Sequence, residues 1–212
     1  MSDPTPIDGR AARRDRNREA VLDAVIELFT EDDLDPGPDE VALRVGLSAR
    51  SVYRYFEDRD ALLRAAIERH QQRVLPLYVI HAIGEGDIDD RIERFVTARV
   101  RLYEAIAATA RAARARAAVN DIMRDQVEET HRLLREQIEK QFAPELEELD
   151  GRRLRATSGA IDTLCQLEAV DHLRLHRRLS SDETRTVLID ALQALLAQFS
   201  TPPSEETDRD QS

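Results

Sequence analysis

The sequence predicts an all-α protein, on three observations. Its 212 residues are rich in Ala, Leu and Arg, with 4% aromatic residues and no Trp, a composition that favours helices over strands. Apolar residues recur at spacings of three and four along most of the chain, the period of a helix that buries one side. Between Val41 and Phe56, VALRVGLSARSVYRYF reads as a short helix, a tight turn at Gly46 and a second short helix opened by Ser48. The length suffices for one or two domains with a proper core.

Met1 to Gly9, with Asp, Pro and Gly and no periodicity, reads as a disordered arm. The first helix follows. Its start, Arg10 to Arg18, holds five Arg against one Asp, and Val21, Leu22, Val25, Ile26, Leu28 and Phe29 supply its apolar stripe. That basic start, Arg14 included, suits contact with phosphates and a strong dependence of binding on salt. After the acidic loop EDDLDPGPDE a second helix carries Pro38 in its first turn, where proline is tolerated. Val41, Ala42 and Val45 form its small apolar face, Gly46 accepts the left-handed backbone that ends it, and Leu47 folds back onto it. Ser48 is the oxygen-bearing cap of the third helix. Val52 and Phe56, four residues apart, face inward. The other side carries Arg50, Ser51, Tyr53, Arg54 and Tyr55, with no acid from 48 to 56. A short helix with such an outer face suits a DNA major groove. Asp58 caps a fourth helix, in which Leu62, Leu63, Ala66 and Ile67 pack back on the first three and which Pro76 kinks or ends.

The window from Asn17 to Ile67 resembles the TetR family of bacterial transcriptional regulators. Gly-Leu-Ser, the aromatic Tyr53, the pair Tyr55-Phe56 and Arg-Asp-Ala-Leu-Leu all stand at the family's spacings. The resemblance implies a three-helix DNA-binding domain, a fourth helix linking it to a ligand site, and a C-terminal helical domain for effector binding and dimerisation. It implies that Tyr53 and Tyr55 hold backbone phosphates and that Arg59 meets the DNA backbone. Arg50 and Ser51 are assigned to base edges or nearby phosphates, and Arg54 to either. The chain departs from the family at the second helix. There Pro36 and Gly37 replace a capping Ser or Thr, and Asp39 and Glu40 repel a phosphate, so backbone N–H groups and Arg44 are the expected substitutes. The stretch LEAVDHLRLHRRLSSDETRTVLIDALQALL resembles the family's C-terminal helix pair, which forms a four-helix bundle between two subunits, with Val170 where Trp is frequent.

Asp87 is expected to cap a helix that runs to about Ala107, followed by a shorter one near 109–119 and a long one near 121–142, stopped by Pro144. A further helix covers about Gly151 to Arg177, and Ser180 to Glu183 form a capping box that opens the last helix. Thr201 to Ser212, acidic and Pro-containing, reads as disordered. The predicted organisation is an arm over 1–9, a helix-turn-helix domain over 10–58, an effector-binding and dimerisation domain over 59–200, and a tail over 201–212.

Candidate effector contacts are fewer. Phe95 and Tyr103 lie in an apolar stripe with Arg99 near its centre, where a cation suits an anionic ligand. An Arg paired with an internal Glu, or reaching outward, accounts for the same pattern. Met123 lies on the 121–142 helix, whose stripe Thr130 and Gln141 interrupt beside His131. These polar insertions suit either a pocket or satisfied buried groups. Cys165 reads as a small core residue, kept as a pocket candidate, and a single Cys excludes an internal disulfide. With no metal-ligand spacing, nucleophile–base motif or phosphate loop, no metal, cofactor or enzymatic activity is expected. No apolar run has spanning length, so no membrane is expected, and the location is expected to be cytoplasmic. The net charge of −11 opposes a DNA partner, but the basic and acidic residues are segregated along the chain. The expected partners are double-stranded operator DNA, a second copy in a two-fold homodimer, and a small-molecule effector that releases a repressor. Control by a protein partner is the alternative; an all-helical enzyme or scaffold is a remoter one.

Overall fold

The computed structural model describes residues 6–31 and 36–197, and these are helices joined by short turns, with no strand among them. The chain divides into two compact units. The first comprises the chain through Pro76 together with Ile106–Thr130, and the second comprises Leu77–Ala105 and the chain from His131 onward. This differs from the expected boundary at 58/59. Leu62, Leu63 and Ala66 are buried in the same core as Val21, Val25 and Val52, and Ala112 and Met123 complete it. The helix after the turn therefore belongs with the helix-turn-helix, as does a later segment distant in sequence.

In the first unit, α1 (Pro6–Thr30), α2 (Pro38–Arg44), α3 (Ala49–Tyr55) and α4 (Arg59–Val74) follow one another as the periodicity predicts. Pro6–Gly9, expected as an irregular arm, instead form the first turns of α1. Proline's fixed φ is suited to a first helical position, where no donor is lost. The first five residues, the loop residues 32–35 and the acidic tail lie outside the described residues. Gly37 caps α2 with no side-chain bond and Pro38 opens it. At its end Gly46 turns left-handed (φ +65°), Leu47 N–H donates to Ala42 O (2.9 Å) and Gly46 N–H to Leu43 O (3.3 Å). Those two bonds satisfy carbonyls that the helix end would leave open. The cap of α4 is Asp58, whose carboxylate accepts from Ala61 N–H at 2.7 Å, and the helix ends ahead of Pro76 in a 3-10 turn over Leu75–Tyr78.

The later helices are α5 (Ile88–Ala117), α6 (Asp121–Gln141), α7 (Ala143–Glu147), α8 (Gly151–Leu164), α9 (Leu167–Asp171), a π-turn over His172–His176, and α10 (Ser181–Leu196). Two expectations fail here. The predicted break near 107–109 is absent, because residues 107–117 are Ala and Arg apart from Thr109, with no Gly or Pro to interrupt such strong helix formers. The single helix expected over 151–177 breaks after Leu164. There Cys165 O accepts the buried Tyr103 hydroxyl, and Ala169 N–H turns to Gln166 O (3.1 Å) instead. A hydrogen bond from so far along the chain is invisible to a local reading. Pro144 does end α6, and then serves in the first turn of α7. The capping box is formed: Glu183 N–H donates to Ser180 Oγ (3.2 Å) and Ser180 N–H to Glu183 Oε2 (2.7 Å).

The core of the second unit holds Ile92, Phe95, Val96 and Leu102 of α5 with Leu134, Ile138 and Phe142, and Phe95 meets Phe142 edge-on at 5.3 Å. Inside it Arg91 and Glu145, both buried, pair through two hydrogen bonds, and Arg91 also donates to Gln141 O (3.0 Å). Gln141 is fully buried and satisfied, donating to Arg91 O (2.6 Å) and accepting from Gly84 N–H (3.0 Å). It is a structural amide. No helix among the described residues is long and apolar enough to cross a membrane.

Candidate nucleic-acid interface

The interface is built on α3, which is fixed from one side and open on the other. Val52 and Phe56 are 1% and 5% exposed, seated on α1 and α2 residues, while Arg50, Tyr53 and Arg54 point to solvent. Tyr53 is 54% exposed, which for a residue so amphipathic leaves its hydroxyl free to meet a polar partner. Arg50 has no ion-pair partner among the described residues. Its position on α3 and its exposure leave the whole guanidinium fork available.

Ser48 is the cap, as expected, but the cap occupies more of the surface than the sequence suggests. Its Oγ accepts from Ser51 N–H (3.2 Å) and is 2.9 Å from Ser51 Oγ. One hydroxyl donates to the other, so a single hydroxyl hydrogen remains to the pair. Ser51 is half-buried at the start of α3. Tyr55 is half-buried too, and is bound from within. Hydrogen bonds from Arg54 and from Asn17 on α1 hold its hydroxyl below its ordinary pKa, and the charge of Arg14 adds to the effect. Arg54 also lies over the Tyr55 ring at 5.5 Å, and Arg18 over the Phe56 ring at 5.2 Å. These contacts tie the recognition-type helix to α1 and bring Arg14 to the same edge as Arg54. Sequence reading does not anticipate the Asn17–Tyr55 tie; an amide one turn before an apolar stripe is its faint signal.

Arg44 has a partner within the chain that sequence reading does not anticipate. Both its terminal nitrogens donate to the Glu31 carboxylate (2.9 and 2.7 Å), and Glu27 lies 3.9 Å away. The Arg44 hydrogen bonds pull the Glu31 carboxyl below the usual carboxylate range. A guanidinium held bidentately by a carboxylate has spent the fork it would offer a phosphate. Arg59 stands exposed at the first turn of α4, where a basic residue was expected.

The six effector candidates fall in both units, Met123 and Thr130 in the first and the other four in the second. Phe95, Tyr103 and Cys165 are core residues of the second unit, each at most 3% exposed. Burial pushes the Cys165 thiol up to about 12, which leaves it inert, and raises the Tyr103 phenol further. Thr130 is locally satisfied, donating to Gln126 O (3.0 Å) and accepting from Gln126 Nε2 (3.2 Å). Arg99 is 2% exposed, and no carboxylate among the described residues pairs with it. Met123 borders a cavity of about 80 Å³ in the first unit that is walled by Ile26, Phe29, Leu63 and Ala113. His70 and Thr109 also line it, and sequence reading overlooks both. The Thr109 hydroxyl lies 2.9 Å from Ile106 O and 3.1 Å from His70 Nε2, within hydrogen-bond reach of both. Burial, aided by the charge of Arg73, lowers the His70 pKa and keeps the ring neutral.

Comparison with known proteins bears on the first unit most directly. Residues 21–66 match the family model described as bacterial regulatory proteins, tetR family. Two curated relatives, both uncharacterized HTH-type transcriptional regulators of Mycobacterium tuberculosis, are 37% identical over 65 residues. That alignment takes in 30% of this chain and 32% of each relative, so the chain matches about a third of their length. A tetR-family transcriptional regulator from Streptomyces coelicolor superposes with a TM-score of 0.65 at 21% identity, over 87% of this chain and 82% of that one. A transcriptional regulator from Rhodococcus gives 0.66 at 17% identity, over 85% and 96%. At those identities the likeness establishes the all-helical fold over nearly the whole chain.

Proposed function

We propose that this chain is a tetR-family regulator, a reading supported by the family match over residues 21–66, and that it is a dimeric repressor that a small molecule releases from a two-fold operator. The single observation that carries the DNA half of this reading is the division of α3. Val52 and Phe56 anchor it while Arg50, Tyr53 and Arg54 stand outward from a segment, residues 48–56, that carries no acid. Arg50 reads guanine or grips a neighbouring phosphate, Tyr53 and Arg54 hold the backbone, and Arg14 adds a phosphate contact beside them. Tyr55 serves by fixing α3 against α1, with its hydroxyl at the same edge.

The dimer is supported by apolar side chains left in solvent on the last helices: Leu154 on α8, Leu175 in the π-turn and Val187 on α10. Response to an effector is supported by the cavity beneath α4 and by the unpaired charge of Arg99. A second reading, control by a protein partner, draws on the tight packing around Arg99, Phe95 and Tyr103, which leaves that part of the second unit filled.

The test is to recover the bound DNA by selection from genomic fragments and to titrate it by fluorescence anisotropy at several salt concentrations. Affinity should fall steeply with salt. Arg50→Ala should weaken binding by about 1–3 kcal/mol and relax base preference, whereas Tyr53→Phe should weaken it without changing preference. If both variants bind as the parent does, the reading surface is elsewhere.

A further inference from the structure

Arg99 on α5 is a guanidinium inside the second unit, and no carboxylate among the described residues pairs with it. Its Nη1 donates to Gln137 Oε1 (3.0 Å), its Nη2 to Leu134 O (3.0 Å), and its charge lies 4.7 Å from the Phe95 ring centroid. These are neutral partners. Arginine cannot shed its proton, so burial does not neutralise it as it would a Lys or His. Nε, also buried, has no hydrogen-bond partner. The space beside it, walled by Leu77, Tyr78, Ile80 and Leu102, has no room for a water molecule, so solvent does not fill the gap. A guanidinium has five N–H donors, and the fork formed by Nε and an adjacent Nη is the edge that matches two carboxylate oxygens. On that edge Nε is the donor left unspent.

We propose that Arg99 is the counter-charge of an organic carboxylate with an apolar body, which enters by displacing the Leu77–Ile80 segment and lays its carboxylate on the Nε edge. This rests on the proposed effector response and names its chemistry. Two features favour a carboxylate with a hydrophobic remainder over a bare inorganic anion. The wall beside Arg99 is Leu, Ile and Tyr, and Phe95 covers one face of the guanidinium. Entry has a defined consequence within the same unit. The Gln137 side chain accepts from Arg99 through its oxygen and donates to Tyr78 O (2.6 Å) through its nitrogen. Displacing the Leu77–Ile80 segment therefore breaks the bond from the Gln137 amide to Tyr78 O, which holds the end of the 3-10 turn after α4.

The probes are sodium octanoate, 1-octanol and sodium phosphate, titrated by calorimetry into the full chain without DNA. Octanoate should bind saturably and at least tenfold more tightly than octanol, with phosphate weaker than both. Arg99→Met, close in length and uncharged, should erase the preference for octanoate over octanol. If that variant does not fold, Arg99→Lys keeps the charge without the fork and should lower octanoate affinity about tenfold. Equal affinity for octanoate and octanol, phosphate binding as tightly as octanoate, no saturable octanoate binding, or undiminished octanoate binding by a folded Arg99→Met overturns the proposal, and the parent protein alone decides the first three. A parallel anisotropy titration of operator DNA without octanoate separates this result from the DNA reading, since loss of carboxylate binding leaves that titration unchanged.

Discussion

Arg91 and Glu145 are 4% and 6% exposed and hold each other through paired hydrogen bonds. Replacing Glu145 by Gln keeps the shape but leaves a buried guanidinium without its countercharge. Breaking such a pair costs about 3–5 kcal/mol, and a urea titration should show a loss of that size, against a far smaller one for the exposed pair Arg132–Glu136. Residues such as these owe their roles to partners, and only near partners are legible in a sequence. The caps at Ser48, Asp58 and Ser180 are readable because a cap needs a side-chain oxygen and an N–H three residues on. The partner of Arg44 is missed because Glu31 stands thirteen residues away, just past the end of α1. Gln141 stays open between pocket and structural amide, because its two partners, Arg91 O and Gly84 N–H, lie fifty residues or more from it in sequence.

Among the elements α4 matters most, because it follows the reading helices and is clamped to α1. Asp23 on α1 accepts from Arg69 (2.6 and 3.0 Å) and lies 2.5 Å from Arg73, with Glu19 at 3.5 Å from Arg69. The Arg69 hydrogen bonds outweigh burial and hold the Asp23 carboxyl below its ordinary 3.8. Folding thus favours the ionised form. Its contribution is complete above that ordinary value and is lost as pH falls through the lower folded one. His70, one residue along α4, is pressed below its ordinary 6.5, so the neutral ring is the folded form and stability is lost as pH drops under 6.5. Both effects weaken α4 in acid, His70 first and Asp23 afterwards. Asp23→Asn should lower stability in a urea titration at neutral pH by about 1 kcal/mol, and its stability should vary less than the parent's below pH 4. An unchanged acid limb would show that the clamp contributes nothing. The existence of α4 is plain from Asp58 and the spacing of Leu62, Leu63 and Ala66. Its membership in the reader's core is not, because Ala112 and Met123 reach that core from far along the chain.

At the scale of the whole molecule the question is how an acidic chain meets an acidic polymer, and two-fold repetition is the proposed answer. The net charge of −11 repels a duplex, yet residues 48–56 carry no acid and residues 10–18 carry five arginines. Long-range repulsion is screened within about 10 Å at ordinary salt, so the local cations govern contact. One short helix reads too little DNA for tight binding; two, fixed a helical turn apart by a dimer, read a palindrome. The side chains proposed to make that dimer include Leu175 and Val187, which are 57% and 41% exposed on the π-turn and α10. Burying them against a second copy removes apolar area from water at about 25 cal/mol per Å². The double substitution Leu175→Glu with Val187→Glu puts carboxylates into that contact without touching the first unit. Sedimentation velocity should then show monomers where the parent is dimeric, with helicity by circular dichroism retained and operator affinity lowered at least tenfold. A variant that stays dimeric places the interface on another surface, and a monomeric parent that still binds operator tightly removes the two-fold argument altogether.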